Sequence, residues 1–214
     1  MPSLPRSIPT SPDHFNRRGN VDLAPLRSSN SSEHWAQAPV NQPRSEEKPM
    51  QARFQRITPF LWFDTQAEEA ANFYASVFPN SRILTATRYN KESAQVSGKT
   101  EGSVMTIAFQ LDGQDFTALN GGPIFKFTEA VSLVVNCQSQ DEVDHYWNHL
   151  SKGGDEKAQR CGWLKDRFGL SWQVVPTELP KLLGDPDPDK ARKAMNAMLR
   201  MKKIDLKALR QATS

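Results

Sequence analysis

The chain has 214 residues, a net charge of +3 and a hydrophobic fraction of 37%, with a mean hydropathy of −0.63. Its lysines and arginines are scattered up to the C-terminal helix, so the charge does not favour a nucleic-acid partner. No apolar run approaches the roughly 20 residues that a membrane-spanning helix needs, and the first residues lack the apolar segment of a secretory signal. We therefore expect no membrane partner.

Residues 1–55 differ in composition from the rest of the chain. They hold eight of the fifteen prolines, are rich in Ser, Asn, Gln and Arg, and show no apolar periodicity. Such a segment buries too little apolar surface to offset its ordering entropy, so we expect a disordered extension. Met50 opens the stretch MQARFQRITPFLWF, a natural start for the folded domain. Residues 1–49 are then expected to be a dispensable tail or an over-extended gene start.

A first module is predicted over residues 56–123. The apolar, aromatic-rich run Ile57–Phe63 is typical of a buried strand, and Thr65 opens a capping box for the helix that follows it. The segment Ser81–Tyr89 is predicted as a further strand. The polar stretch Asn90–Gly102 is predicted as a long loop.

A hairpin completes this first module. Two apolar segments, Ser103–Leu111 and Gln114–Asn120, flank Asp112-Gly113, which is a strong signal for a two-residue β-turn. The run Gly121-Gly122-Pro123 follows. It lacks the lysine of a phosphate-binding loop, so we interpret it as a tight turn.

Residues 124–178 repeat the plan of the first module. The stretch VSLVVNCQSQDEVDHYWNHLS is a rough copy of ITPFLWFDTQAEEAANFYASVF, about 73 residues further along, and such self-similarity indicates paired modules. Val131–Val135 is predicted as a strand, and Ser139 opens a second capping box. Two more strands are predicted over Gln159–Lys165 and Leu170–Val175.

Residues 179–214 are predicted as a helical C-terminal appendix, with residues 56–214 forming one domain. Asp187 and Pro188 are a typical helix start. Met195, Met198 and neighbouring apolar residues form a stripe along that helix, which suits docking on its own domain or contact with a second copy. The predicted class is α+β, with two βαβββ units.

These residues resemble a known group of proteins. The paired βαβββ plan is that of the vicinal oxygen chelate superfamily, which includes glyoxalases, ring-cleaving dioxygenases and antibiotic-resistance binding proteins. Within it, the chain is similar to the PhnB-like family, often labelled demethylubiquinone methyltransferase-like. The resemblance implies curved mixed sheets, a concavity for a small molecule, and a homodimer. It is carried by the segments ITPFLWFDTQAEEAANFY, GSVMTIAFQLDGQDFTALNGGP, FKFTEAVSLVVNC, CGWLKDRFGLSWQVVP and DPDPDKARKAMNAMLRMKKIDL.

The superfamily's metal site is tested against this sequence. Its enzymes usually chelate a divalent ion with His and Glu side chains on the first and last strands of each module. No histidine lies on a predicted strand here, and Gln173 stands where a glutamate would be expected. Neutral amides hold Zn²⁺, Fe²⁺ or Ni²⁺ weakly. We expect no metal and no other cofactor, with Glu129 and Gln173 as weak candidates for a residual metal site. His145 and His149 are interpreted as solvated positions of a helix.

Two residues are candidates for catalysis. Cys161 could be a nucleophile, although a thiol normally needs a basic neighbour to lower its pKa. Asp166 could be a general base. The alternative is a small buried thiol and an aspartate that caps the turn before Gly169.

An aromatic-walled pocket with a few amides is predicted to bind the ligand. Strand alternation sends Trp172 and Gln173 to opposite faces, so one of them faces the concavity. The candidate ligand-binding residues are Trp62, Asn120, Phe125, Phe127, Trp163, Trp172 and Gln173.

The function expected from these residues is binding of a small aromatic or quinone-like molecule by a cytoplasmic protein without the usual metal. A divalent-metal-dependent glyoxalase- or dioxygenase-like enzyme with a degenerate site is one alternative, and a dimeric protein without ligand is another. S-adenosylmethionine-dependent methyl transfer is not favoured, because no glycine-rich loop follows the first strand. Two cysteines do not make a disulfide framework and are typical of a cytosolic protein.

Overall fold

The computed structural model describes residues 54–214. The disorder predicted for residues 1–55 therefore falls almost wholly outside the described residues. Within them lie seven strands, six α-helices and one short 3₁₀ turn. In chain order these are β1 (Phe60–Phe63), α1 (Ala67–Val77), β2 (Arg82–Arg88), α2 (Lys91–Ser97), β3 (Val104–Leu111), β4 (Gln114–Asn120), β5 (Leu133–Cys137), α3 (Gln140–Leu150), the 3₁₀ turn (Glu156–Ala158), β6 (Trp163–Lys165), β7 (Ser171–Pro176), α4 (Leu179–Leu183), α5 (Pro188–Met198) and α6 (Leu206–Thr213).

The first module forms a four-stranded mixed sheet. Its strand order is β1-β4-β3-β2, with β1 parallel to β4 and the other pairs antiparallel. The predicted hairpin is confirmed, since Leu111 pairs with Gln114 across the turn. Asp112 and Gly113 have φ angles of 44° and 77°, which is the left-handed backbone that such a turn requires.

The second module forms a three-stranded sheet in the order β5-β7-β6, with β5 parallel to β7. The α+β class and the paired plan are confirmed, but the second copy has no counterpart of β2. Between α3 and β6 the chain instead makes the 3₁₀ turn, capped by the Asp155 side chain. This segment contains Gly153-Gly154 and charged residues and no apolar alternation, so it offers no face that a strand could bury.

The prediction of a loop over Asn90–Gly102 is wrong, because part of it forms helix α2. The Asn90 side chain accepts a hydrogen bond from the Ser93 amide at 2.8 Å, and the Ser93 hydroxyl accepts one from the Asn90 amide at 3.0 Å. This reciprocal capping box starts the helix. Gly98, with φ 67°, ends it.

The two predicted helix starts differ in outcome. Ser139 caps α3 by accepting a hydrogen bond from the Glu142 amide at 3.2 Å. At α1 the Thr65 capping box does not form, since the N-cap is Gln66 and its side chain makes no capping bond. The amide of Ala67 donates instead to Oδ1 of Asn120 on β4, at 2.8 Å.

Each sheet has one face on a shared core and one open face. On β3, Ile107 and Phe109 are buried, whereas the alternating Thr106 and Ala108 are half-buried. The Tyr74 ring of α1 contacts rings of both modules, since it lies 6.4 Å from Phe109 and 5.4 Å from Trp172, centroid to centroid. Helices α1 and α3 therefore cover the core faces and leave the opposite faces for a site.

The C-terminal helices α4–α6 pack on the second module. Leu179, Ile204 and Leu209 form a small buried cluster. The amide of Cys161 donates to the carbonyl of Met201 at 2.8 Å, which fixes the chain just before β6. Met198 packs against this cluster, so part of the predicted methionine stripe docks on its own domain.

Two apolar residues of α5 and its end stay outside this packing. Met195 is 39% exposed and Leu199 is 48% exposed. In the described part of the chain, none of the helices has the length and apolarity to cross a bilayer.

Candidate functional site

The open face of the second sheet collects four side chains from two strands. In the antiparallel pairing of β6 with β7, Trp163 lies opposite Gln173 and Lys165 lies opposite Ser171. Because alternate residues of a strand point to opposite faces, these four share the face that Trp172 does not. Directly opposite residues have Cβ atoms about 5 Å apart, so they form one contiguous surface.

A cavity of about 430 Å³ lies on this surface. We call it the Trp163 cavity. Such a volume is within the range of small-molecule sites in proteins. Its walls come from β6, β7, the 3₁₀ turn and the segment before β5. They are formed by Glu129, Ala158, Arg160, Cys161, Trp163, Leu164, Lys165 and Ser171.

An ion pair borders this cavity. Nζ of Lys165 lies 2.6 Å from Oε1 of Glu129, and the Lys165 side chain is 22% exposed against 60% for Glu129. The hydrogen bond from Lys165 lowers the pKa of the Glu129 carboxyl below its usual value. Glu129, one of the two weak metal candidates, is therefore engaged with a cation.

Ser171 is the least satisfied polar group of the site. The residue is 1% exposed, and its hydroxyl oxygen has no hydrogen-bond partner among the described residues. Leaving a hydroxyl buried without a partner is unfavourable. Ser171 lines the Trp163 cavity, so a molecule in this cavity could supply the missing bond.

A second cavity, of about 320 Å³, brings together Trp62, Phe125 and Phe127, and we call it the Trp62 cavity. The Trp62 and Phe125 rings meet edge to face with their centroids 4.9 Å apart. Lys165 borders this cavity as well as the first. Three of the predicted ligand-binding residues therefore lie at one cavity, and Lys165 lies between this cavity and the Trp163 cavity.

The glycine run after β4 explains how Trp62 is held. A Cβ atom on Gly121 would overlap the Trp62 indole ring, so a side chain there would displace the ring. The indole nitrogen donates to the carbonyl of Gly122 at 2.8 Å. The glycine run after β4 thus also holds the Trp62 side chain in position.

Two predicted ligand-binding residues lie in the core instead. Asn120 is 8% exposed; it caps α1, and its side-chain amide donates to the carbonyl of Val104 at 3.0 Å. Trp172 is 2% exposed and stacks on Phe78. Gln173, the alternate residue, takes the open face and donates to the Ser132 hydroxyl at 2.8 Å.

Asp166, a catalytic candidate, is 2% exposed and accepts four hydrogen bonds. Tyr74 Oη and Trp172 Nε1 donate to its Oδ2 at 2.7 and 2.8 Å. The amides of Phe168 and Leu170 donate to Oδ1 at 2.9 and 3.0 Å.

Burial raises the pKa of the Asp166 carboxyl, and these hydrogen bonds oppose the rise. Burial, and then the Asp166 charge, raise the pKa of Tyr74 well above its usual value. The four hydrogen bonds favour the alternative in which Asp166 caps a turn, because no lone pair of its carboxylate is left to take a proton from a substrate.

The two cysteines occupy different environments. Cys137 is buried, and burial followed by the Glu142 charge raises its pKa to about 12, so it stays a neutral thiol. Cys161, with a left-handed φ of 51°, lines the Trp163 cavity. It is half-buried, and it remains a candidate there.

The residues present do not fit the superfamily's usual chelate. Among the described residues, no three His, Cys, Asp or Glu side chains converge on one point. Glu129 is paired with Lys165, and the Gln173 amide is bonded to Ser132. His145 contacts the carbonyl of Val77 through Nε2 at 3.1 Å, away from the sheets' open faces.

The residues after β1 do not fit a nucleotide-type cofactor either. Such cofactors bind at free amides of a glycine-rich loop and a helix N-terminus. Here Asp64, Thr65 and Gln66 lead into α1, and the Ala67 amide already donates to Asn120.

The sequence did not lead to the prediction that Ser171 and Lys165 line the Trp163 cavity. The signal was present for Ser171, since it lies two residues before Gln173 and must share its face. In the sequence, Lys165 is only the last residue of the predicted strand Gln159–Lys165. Its position opposite Ser171 depends on the strand register, which the sequence alone does not give.

The paired modules and the open sheet face define a vicinal oxygen chelate fold. The profile described as 3-demethylubiquinone-9 3-methyltransferase matches residues 55–175. The chain belongs to this family, which confirms the PhnB-like resemblance.

Three solved structures are similar to this chain. A putative 3-demethylubiquinone-9 3-methyltransferase, PhnB protein, from Bacillus cereus is 35% identical over 57% of this chain and 100% of its own, with a TM-score of 0.49. A protein from Staphylococcus aureus is 30% identical over 55% and 92%, with a TM-score of 0.24. A glyoxylase/bleomycin resistance protein/dioxygenase domain from Frankia sp. EAN1pec is 13% identical over 57% and 92%, with a TM-score of 0.38. No curated protein matches the chain.

The role of Asp166 leads to a test. Replacing it by asparagine exchanges one acceptor oxygen for an NH₂ group that faces donors. We expect Asp166→Asn to lower the free energy of unfolding by about 2–4 kcal/mol. Tyr74→Phe removes one donor only and should lower it by about 1–2 kcal/mol. Urea unfolding at pH 7 measures both.

The exposed Asp141 supplies the control, and Asp141→Asn should change the stability by no more than about 0.5 kcal/mol. A stability of Asp166→Asn equal to that of the unmodified chain would contradict the structural role.

Proposed function

We propose that this protein binds a small aromatic or quinone-like molecule in the Trp163 cavity, at the open face of its second sheet, and in the Trp62 cavity, which shares Lys165 with it. The observation that carries the proposal is the convergence of aromatic rings on these cavities. Trp62 comes from β1, Phe125 from the segment between the modules, and Trp163 from β6. Aromatic walls with a few placed polar groups are typical of sites for small organic ligands.

A quinone-like ring is favoured within this class. The description of the family names demethylubiquinone as the molecule that receives the methyl group. Its quinone ring is small and planar. The proposal includes the ring but not the transfer reaction, because the amide of Ala67, at the start of the helix that follows β1, already donates to Asn120. The proposed role is recognition or sequestration, or a reaction in which the bound molecule alone changes.

The proposal includes binding without the superfamily's chelated metal. Support comes from the donor set, since Glu129, the carboxylate of the Trp163 cavity, is paired with Lys165 and the last strand offers the amide of Gln173 in place of a carboxylate. Neutral amides provide little of the charge that holds a divalent transition metal ion.

We also propose that two copies associate through the first sheet. Strand β2 is an edge strand, and all seven of its residues are exposed. Leu84, at an irregularity in the β2–β3 pairing, is 45% exposed. An edge with free backbone groups and apolar side chains is a common pairing site between chains.

The ligand proposal predicts a melting-temperature rise with members of an aromatic and quinone panel, because a ligand of the native state stabilises it. For the tightest binder, Trp163→Ala or Phe125→Ala should weaken affinity about tenfold, through lost ring contacts. Isothermal titration calorimetry measures this.

Phe60→Ala is the matched control, because Phe60 is 59% exposed against 61% for Phe125 and lines neither cavity. Its affinity should stay unchanged. A panel in which no compound shifts the melting temperature would remove the proposal.

For the metal, elemental analysis of protein purified without a polyhistidine tag should find well below one divalent ion per chain. Glu129→Gln should leave that content unchanged, since the carboxylate is expected to bind Lys165 and no metal. One tightly held ion per chain, lost in Glu129→Gln, would instead support a metal-dependent enzyme with a degenerate site.

For the dimer, sedimentation equilibrium should give twice the 24.1 kDa chain mass. Leu84→Glu places a charge in the proposed contact and should shift the mass to that of one chain. Val96→Glu, at a 91% exposed position of α2, is the control and should remain a dimer. A single-chain mass for the unmodified protein would rule out this association.

A further inference from the structure

Ser171 stands apart from the other buried polar side chains. Asn120 and Asp166 are also buried, yet every polar atom of their side chains has a hydrogen-bond partner. The Ser171 hydroxyl has no partner among the described residues, and the residue lines the Trp163 cavity. Buried hydroxyls in native proteins nearly always have a partner, so an unmatched one in a cavity wall is a candidate partner for a bound molecule.

The groups around this hydroxyl are mostly donors. Lys165 and Arg160 are cationic, and the serine hydroxyl can donate as well. The cavity's one carboxylate, Glu129, is already bonded to Lys165. A lining with more donors than free acceptors, and with an excess of positive charge, favours a ligand that carries acceptor oxygens and negative charge.

The Glu129–Lys165 pair has the features of an exchangeable contact. Glu129 is the more exposed partner and lies between β4 and β5, outside any helix or strand. Ion pairs of such exposed carboxylates contribute little stability in water. The Lys165 side chain is shielded from water, so a closely held anion stabilises its ammonium group more than it would stabilise an exposed one.

We propose that the Trp163 cavity binds a planar aromatic carboxylate. The Trp163 ring packs on the aromatic part of this ligand, the Ser171 hydroxyl donates to one carboxylate oxygen, and Lys165 leaves Glu129 to pair with the other. The inference rests on the proposed function and specifies its ligand class. The geometry allows it because Lys165 and Ser171 are directly opposite on adjacent strands, so that one carboxylate reaches both.

The test compares three probes of one shape and different charge: 2-naphthoate, 2-naphthamide and 2-naphthylmethylamine. We expect isothermal titration calorimetry of the full chain at pH 7 to give an affinity for the naphthoate at least about tenfold above that for the amide, the worth of one charge-assisted hydrogen bond. The amine should bind most weakly, because its charge opposes Lys165 and Arg160.

Three substitutions assign the contacts. Lys165→Met keeps the aliphatic stem and should remove the preference for naphthoate over naphthamide. Glu129→Gln frees Lys165 and should tighten naphthoate binding by about threefold to tenfold, with no effect on naphthamide. Because Glu129 is exposed, Glu129→Gln is expected to fold normally. It therefore still tests the inference if Lys165→Met does not fold.

Ser171→Ala gives a readout that a purely structural serine would not. Removing an unpartnered buried hydroxyl should leave the melting temperature of the free protein unchanged or raise it. The same substitution should weaken naphthoate binding by about fivefold to tenfold, because a hydrogen bond to a charged oxygen is lost. Affinity would then fall without any loss of stability.

The outcomes separate this inference from the proposed function. Naphthamide or the amine binding as tightly as naphthoate, or unchanged naphthoate affinity in Ser171→Ala, overturns the carboxylate inference and leaves aromatic binding in place. Failure of all three probes and of the wider aromatic and quinone panel overturns both. Alkylation of Cys161 gives an independent check of location, since naphthoate in the cavity should slow it while the buried Cys137 stays unreactive.

Discussion

The buried carboxylate of Asp166 receives hydrogen bonds from both halves of the molecule. Tyr74 reaches it from helix α1 of the first module, and Trp172 reaches it from strand β7 of the second. A charge in an apolar core is tolerable only when its lone pairs are satisfied. The two modules therefore have to meet in one arrangement, because a displaced module would leave donors and a carboxylate unpaired.

This arrangement also places the walls of both cavities. Asp166 fixes the turn between β6 and β7 through the amides of Phe168 and Leu170. Lys165, the residue before it, borders both cavities, and Phe168 lines the Trp62 cavity. The interaction that joins the modules thus holds the cavity-lining residues in position, although Asp166 itself lines neither cavity.

Local signals in the sequence were sufficient for some elements. Asp112-Gly113 predicted its hairpin because the turn's backbone requirement is written in two adjacent residues. The capping box of Asn90 and Ser93, followed by Gly98, carried the same kind of signal for helix α2, but the polar composition of the stretch favoured a loop. Where a few neighbouring residues decide the structure, the sequence is enough.

Side-chain roles that depend on distant partners could not be predicted in this way. Alternation predicted that either Trp172 or Gln173 would lie on the open face. The choice depends on the core partners of Trp172, one of which is Tyr74 of the other module, and these partners draw Trp172 into the core. Asn120 ends a strand beside a glycine turn, a position that suits a ligand contact equally well. Its actual partners, at Ala67 and Val104, are fixed by how β4 lies against β3 and α1.

The polar residues of this protein can be ordered by the bonds they still lack. Asp166 and Asn120 have the residue types of functional groups, but their capacity is used within the fold, so neither can act on a ligand without weakening the core. Ser171 has an ordinary residue type and an unfilled bond. Lys165 has an exposed partner, Glu129. In this chain an amide and an ion pair stand where the superfamily's usual metal donors would be. The proposed recognition therefore belongs where the fold has left hydrogen-bonding capacity unused, and in the described residues that place is the cavity between β6 and the segment before β5.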